Sequence, residues 1–168
     1  MKGITSAKLD GSGLRIAIVS ARWNEFIGSR LLEGARSALA GCRVADGDIT
    51  TVAVPGAFEL PFAAKRMAGT GDYDAIVCLG TVIKGETPHF DFVAGEAARG
   101  IMQVGLDTGI PVTFGVITAN NDEQAIDRAG GRKGNKGAEA AEAAVEMALF
   151  SGQLTTDSGQ RPADKLEI

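Results

Sequence analysis

Histidine and tryptophan occur once each in this 168-residue chain, cysteine twice and proline five times. Each scarcity closes off a class of chemistry. One histidine, His89, and two distant cysteines, Cys42 and Cys78, without any C-x-x-C spacing, offer neither a zinc centre of the usual kind nor the disulfide framework of a small secreted domain. Cys78 lies inside an apolar run, where a thiol acts as a small hydrophobe, and the expectation is a reducing, cytoplasmic setting. Positive charge is not in excess either. Lys and Arg total 17 against 21 Asp and Glu, a net charge of -4, so no global field draws nucleic acid and an anionic ligand needs a local cluster of cations. No run has the apolar length needed to span a bilayer, and Met1 to Gly13 lacks the apolar core of a signal peptide. Walker, G-x-G-x-x-G and nucleophile-elbow motifs are missing as well, which sets aside the common nucleotide and serine-hydrolase chemistries.

What is present suits one domain around a single core: 45% of residues are hydrophobic and 23% charged. Short β-branched runs alternate with longer alanine-rich stretches, the pattern of a parallel sheet covered by helices on both faces. Strands are predicted at Leu14–Ser20, Ile49–Val54, Ala75–Leu79 and Val112–Ile117, near-continuously apolar as doubly covered strands are. The first helix is predicted over Glu25–Ala40, with Asn24 as its N-cap and Ile27, Leu31 and Ala35 on one face. Others follow at Leu60–Met67, from Phe90 or Asp91 to Thr108, at Asp122–Ala129 and at Glu139–Phe150, with the glycine-rich GGRKGNKG as a break before the last. The expected organisation is an N-terminal arm over 1–13, a domain over 14–152 and a polar, mobile tail over 153–168.

In an open parallel sheet, ligands collect beyond the carboxyl ends of the strands. The loops expected there hold the unusual residues: Trp23 and Asn24 after the first strand, Ala57-Phe58-Glu59 after the second, and Gly80 to His89 after the third. Each has two readings. Trp23 is a lid on the core or a stacking platform. His89 is a solvated side chain or, since imidazole is the side chain best suited to proton transfer at physiological pH, a proton carrier. Glu59 is a helix-start carboxylate or a ligand acceptor. Gly85-Glu86-Thr87 is a plain turn or a phosphate cradle. Arg128 is a solvated partner for Asp122 or Glu123, or one cation of an anion site with Lys136 as the second.

Three separated motifs, GAFELP (56–61), LGTVIKGETPHFD (79–91) and NKG (135–137), joined by EQA-x-x-RAG (123–130), resemble the lumazine synthase family in its own order, over about Leu14 to Gly152. The resemblance implies a three-layer flavodoxin-like α/β fold, a four-stranded parallel sheet of order 2-1-3-4 and an active site between neighbouring subunits of a pentameric ring. It implies two small-molecule substrates, 5-amino-6-ribitylaminouracil and 3,4-dihydroxy-2-butanone 4-phosphate, and no cofactor and no metal. By motif position Trp23 stacks on the pyrimidine beside Asn24, while Ala57, Phe58 and Glu59 hold the ribityl chain. Thr81, Val82 and Ile83 offer backbone groups to the heterocycle, and Phe114 arrives from the adjacent chain. Gly85, Glu86 and Thr87, with Arg128 and Lys136, fix the phosphate, and His89 transfers protons. Some positions depart from the family pattern: Lys84 replaces a frequent arginine, Ala119 a frequent threonine, expected to remove a hydrogen bond near the pocket rim, and the neighbouring Asn120-Asn121 is also less typical. The short Gly130–Gly137 connection suggests pentamers assembled into an icosahedral shell.

Overall fold

Strands that are apolar on both faces must be covered on both faces, and the order of elements supplies a helix after every strand. The computed structural model describes residues 9–158, and the side chains of residues 9–154. Strands β1 (Ile16–Ala21), β2 (Ile49–Val54), β3 (Ala75–Ile83) and β4 (Val112–Ala119) form one parallel sheet of order β2-β1-β3-β4. Helices α1 (Glu25–Gly41), α2 (Leu60–Ala68), α3 (His89–Thr108), α4 (Asp122–Arg128) and α5 (Lys136–Ser158) connect and flank it.

Alternation along a strand sends neighbouring side chains to opposite faces. Ile16 and Ile18 therefore join Leu31, Leu39 and Val145 beneath α1 and α5, whereas Ala17 and Val19 join Leu60, Ala64 and Ile101 beneath α2 and α3. This is the three-layer, flavodoxin-like α/β architecture. Fully buried side chains such as Ile18 and Leu31 stabilise it by about 1.5–3 kcal/mol each. Small residues set the layer spacing: a Cβ on Gly100 of α3 would stand 2.7 Å from the Pro61 ring of α2.

The structure moves several expected boundaries. β1 starts at Ile16 because Gly13 turns with φ 83° and the Arg15 N–H is taken by the Asp74 carboxylate at 2.7 Å. β3 continues to Ile83 because β4 runs beside it to Ala119, so Gly80–Ile83 is strand rather than loop. Helix α3 opens at His89 itself. The GGRKGNKG stretch is an antiparallel hairpin, β5 (Ala129–Gly131) and β6 (Gly134–Asn135), not a featureless break, and α5 begins at Lys136 rather than Glu139. That helix runs on through Ser158, past the boundary expected at 152. Residues 10–11 of the expected arm are tied to the domain, through the Gly11 N–H on the Cys42 carbonyl at 2.7 Å and an Asp10–Arg43 ion pair. Residues 1–8 of the arm and the tail beyond 158 lie outside the described residues.

Candidate active site

Parallel strands deliver their carboxyl ends to one edge, and three successive loops are laced together there. The Arg22 N–H donates to the Val54 carbonyl at 2.9 Å and the Trp23 N–H to the Pro55 carbonyl at 3.2 Å, joining the first loop to the second. Asn24 adopts the left-handed conformation with φ 61°, which asparagine tolerates better than most residues. Its side chain does not cap α1 as expected. Instead Nδ2 reaches across and donates to the Thr81 carbonyl of β3 at 3.0 Å. Trp23, 76% exposed, is thus carried on a turn fixed to both neighbouring strands.

The second wall is the 3₁₀ turn Ala57–Glu59, with Ala57 buried and Phe58 exposed. Glu59 stands at the start of α2, where the helix dipole favours a carboxylate, and makes no capping bond. A Cβ on Gly56 would lie 3.2 Å from Glu59 Oε2, so the glycine leaves that carboxylate room. The floor is the end of β3. Pairing of β1 with β3 stops at Ser20↔Leu79 while pairing with β4 continues to Ile83↔Ala119, so Thr81–Ile83 overhang β1 with one strand neighbour. Thr81 is 4% exposed and its Oγ1 has no hydrogen-bond partner among the described residues. Leaving a buried hydroxyl unpaired costs about 1–3 kcal/mol.

The resulting crevice has a volume of ≈ 610 Å³, within the range of small-ligand pockets. Trp23, Asn24, Ala57, Phe58, Glu59 and Thr81 line it, as do Val82, Ile83, Gly85, Thr87 and His89. Pro55 and Gly56, of the loop expected at this edge, also line it, and so do Phe90, Phe92 and Val93, which the sequence reading missed. The last three follow His89 along the first turn of α3, and an aromatic pair flanking an acidic residue was the available signal. His89 is exposed at the first position of that helix, whose N-terminal amides also suit an anion.

Four expected site residues do not line the crevice within one chain. Glu86 is exposed on the loop between Gly85 and Thr87. Arg128 ends α4, half-buried, and Nη1 donates to the Gln124 carbonyl at 2.9 Å, not to Asp122 or Glu123. Lys136 begins α5 and pairs with Glu139. The hairpin register Ala129↔Asn135 brings the chain on either side of it together, so Arg128 and Lys136 leave the hairpin as neighbours. Phe114, 43% exposed on edge strand β4, lines a separate hollow of ≈ 380 Å³ with Met102, Leu106, Met147 and Phe150. Ala119 is buried in the core beneath α1 and α5 rather than at the pocket rim, so the hydrogen bond expected to be lost there has no place in the crevice.

Among the described residues no group of three or more His, Cys, Asp or Glu is arranged to hold a metal ion, and no helix is long and apolar enough to cross a membrane. The crevice combines an aromatic plate, a carboxylate acceptor, strand-end backbone groups and one imidazole beside a helix N-terminus. Such a set can align a flat heterocycle with a polyhydroxyl chain, admit an anionic co-reactant and move protons. The model of the family described as 6,7-dimethyl-8-ribityllumazine synthase matches residues 13–151 of the chain.

Proposed function

Because the chain belongs to the 6,7-dimethyl-8-ribityllumazine synthase family of transferases, we propose that its crevice joins 5-amino-6-ribitylaminouracil to 3,4-dihydroxy-2-butanone 4-phosphate. The products are 6,7-dimethyl-8-ribityllumazine, phosphate and water, in the penultimate step of riboflavin biosynthesis. The observation that carries this reading is the meeting of Trp23, Phe58, Glu59, Thr81 and His89 in one hollow at the strand ends. Trp23 stacks on the pyrimidine, and Asn24, already bonded to Thr81, holds that turn in place. Ala57, Phe58 and Glu59 follow the ribityl chain, with the Glu59 carboxylate accepting from its hydroxyls. The overhanging backbone of Thr81, Val82 and Ile83 meets the heterocycle edge.

The amine of the pyrimidine attacks the ketone carbon, and loss of water gives a Schiff base. A proton then leaves the carbon next to it, phosphate departs to leave an enol, the enol tautomerises to a methyl ketone, and the ribitylamino nitrogen closes the ring on that new carbonyl with loss of a second water. Every step moves protons between aligned reactants, which suits His89 at the rim as the proton-transfer residue. Gly85, Glu86 and Thr87, at the α3 N-terminus, receive the phosphate together with Arg128 and Lys136.

Arg128, Lys136 and Phe114 lie off the crevice of their own chain, which supports a homo-oligomer in which an adjacent copy brings them to it. Apolar exposure points the same way: the exposed side chains of Met102, Leu106, Phe114, Met147 and Phe150 line one hollow, and contiguous apolar surface of this kind marks an interaction site. The assembly proposed is a pentamer, with pentamers closed into an icosahedral shell because the Ala129–Asn135 hairpin is short. The site is proposed to act in the cytoplasm. The anion assignment is tested by Arg128→Ala. The expected result is a KM for the sugar phosphate raised about tenfold or more, as for loss of a charged hydrogen bond, with the pyrimidine KM little changed. An unchanged sugar-phosphate KM overturns the assignment.

A further inference from the structure

Asn135 has a set of contacts that neither the crevice nor the core requires. It closes the hairpin and precedes α5, and its Oδ1 accepts from the Gly137 N–H at 2.8 Å and the Ala138 N–H at 3.1 Å, two of the first-turn amides of that helix. Its Nδ2 donates to the Arg30 carbonyl of α1 at 2.9 Å, a bond spanning 105 residues of sequence. The surroundings leave this side chain little freedom. A Cβ on Gly34 of α1 would come within 2.3–2.5 Å of its amide atoms, and one on Gly137 would stand 2.1 Å from the Leu31 carbonyl oxygen. One amide therefore fixes the end of the hairpin and the start of α5 against α1.

Arg128 and Lys136 flank this point, each one residue beyond the Ala129↔Asn135 pair. Lys136 is bonded to Glu139 one turn on, in the helix whose start Asn135 caps, and Arg128 is bonded within α4, whose end is joined to Asn135 by the backbone pair with Ala129. We infer that Asn135 is a positioning residue for the phosphate-binding cations, holding Arg128 and Lys136 as a pair through its bond to α1. This rests on the proposal that those two cations receive the sugar phosphate. It adds that their affinity for it depends on a side chain that does not touch the anion.

Asn135→Ala removes all three bonds. Asn135→Ser keeps a side-chain oxygen that caps α5, with serine as good an N-cap as asparagine, loses the bond donated to α1 and adds no charge beside the cations. The measurements are the KM for each substrate, competitive inhibition by inorganic phosphate, and the melting temperature, with Lys136→Ala as the benchmark. Both Asn135 variants are expected to raise the sugar-phosphate KM and the phosphate inhibition constant by about tenfold, leave the pyrimidine KM within about twofold, and add little to Lys136→Ala in the double variant. A side chain that only stabilises the fold would lower the melting temperature and shift both KM values together or neither, and that result overturns the inference. Should Asn135→Ala fail to fold, Asn135→Ser decides. A Lys136→Ala effect on phosphate without an Asn135 effect sinks this inference alone. No effect from Lys136→Ala or Arg128→Ala sinks the anion site itself, and this inference with it.

Discussion

At the residue scale the proposed chemistry rests on side chains the chain uses once. His89 starts α3 at the mouth of the crevice, and acid-base help of this kind contributes a factor of about 100 to 10,000. Alignment of the two reactants, able to supply up to roughly 7–11 kcal/mol, survives its loss. His89→Ala is therefore expected to lower kcat by a factor within that range while leaving turnover measurable; complete loss with intact folding would show that alignment supplies much less. Trp23 tests the stacking role. Truncation to alanine removes an aromatic pair of about 0.5–1.5 kcal/mol, a rise in pyrimidine KM of about two- to twelvefold, and Trp23→Phe should recover most of it. Both residues were legible in the sequence because rare side chains fell just after predicted strands. The Asn24 bond to Thr81 was not, since a left-handed turn reaching a strand 57 residues away leaves no local signature.

At the scale of elements, the doubly covered strands announced themselves as apolar runs, and the order of the sheet came from the family resemblance. What the sequence did not disclose was set by partners distant along the chain. β3 gains four residues because β4 pairs with them, and α5 gains a turn because Asn135 caps it. The crossing of α1 and α5 depends on Gly137, where a methyl group would meet the Leu31 carbonyl. Gly137→Ala is expected to destabilise the fold by about 1–3 kcal/mol in urea unfolding, as overpacking does. Central strand β3 also carries Cys78, whose thiol burial pushes from 9.0 up to about 12. Above pH 9 the unfolded chain releases a proton that the folded chain keeps, so stability falls as pH rises, at up to about 1.4 kcal/mol per pH unit until about pH 12. Burial raises the Cys42 thiol in the same sense. Cys78→Val should make this alkaline decline shallower without removing it, as measured by denaturant titrations between pH 8 and about 10; an unchanged decline would mean that Cys78 is not protected by the fold.

At the scale of the whole molecule, one chain holds a crevice with an imidazole and leaves its paired cations elsewhere. Motif order identified both sets of residues, but no sequence pattern says which of them meet within a chain, because that depends on how copies pack. If a neighbour supplies Arg128, then co-assembled His89→Ala and Arg128→Ala chains contain some sites with both residues intact. Random mixing gives about a quarter of such sites, and activity should rise toward that share above either variant alone. Additive, unrecovered activity would place both residues in the site of a single chain.

The central claim is that this crevice aligns and joins two substrates, so the most direct measurement is turnover. The purified chain is incubated with 5-amino-6-ribitylaminouracil and 3,4-dihydroxy-2-butanone 4-phosphate in the presence of a chelator, and lumazine fluorescence and released phosphate are followed together. Product and phosphate should appear in equal amounts at a rate that His89→Ala lowers; a folded chain that binds lumazine yet forms neither would contradict the account.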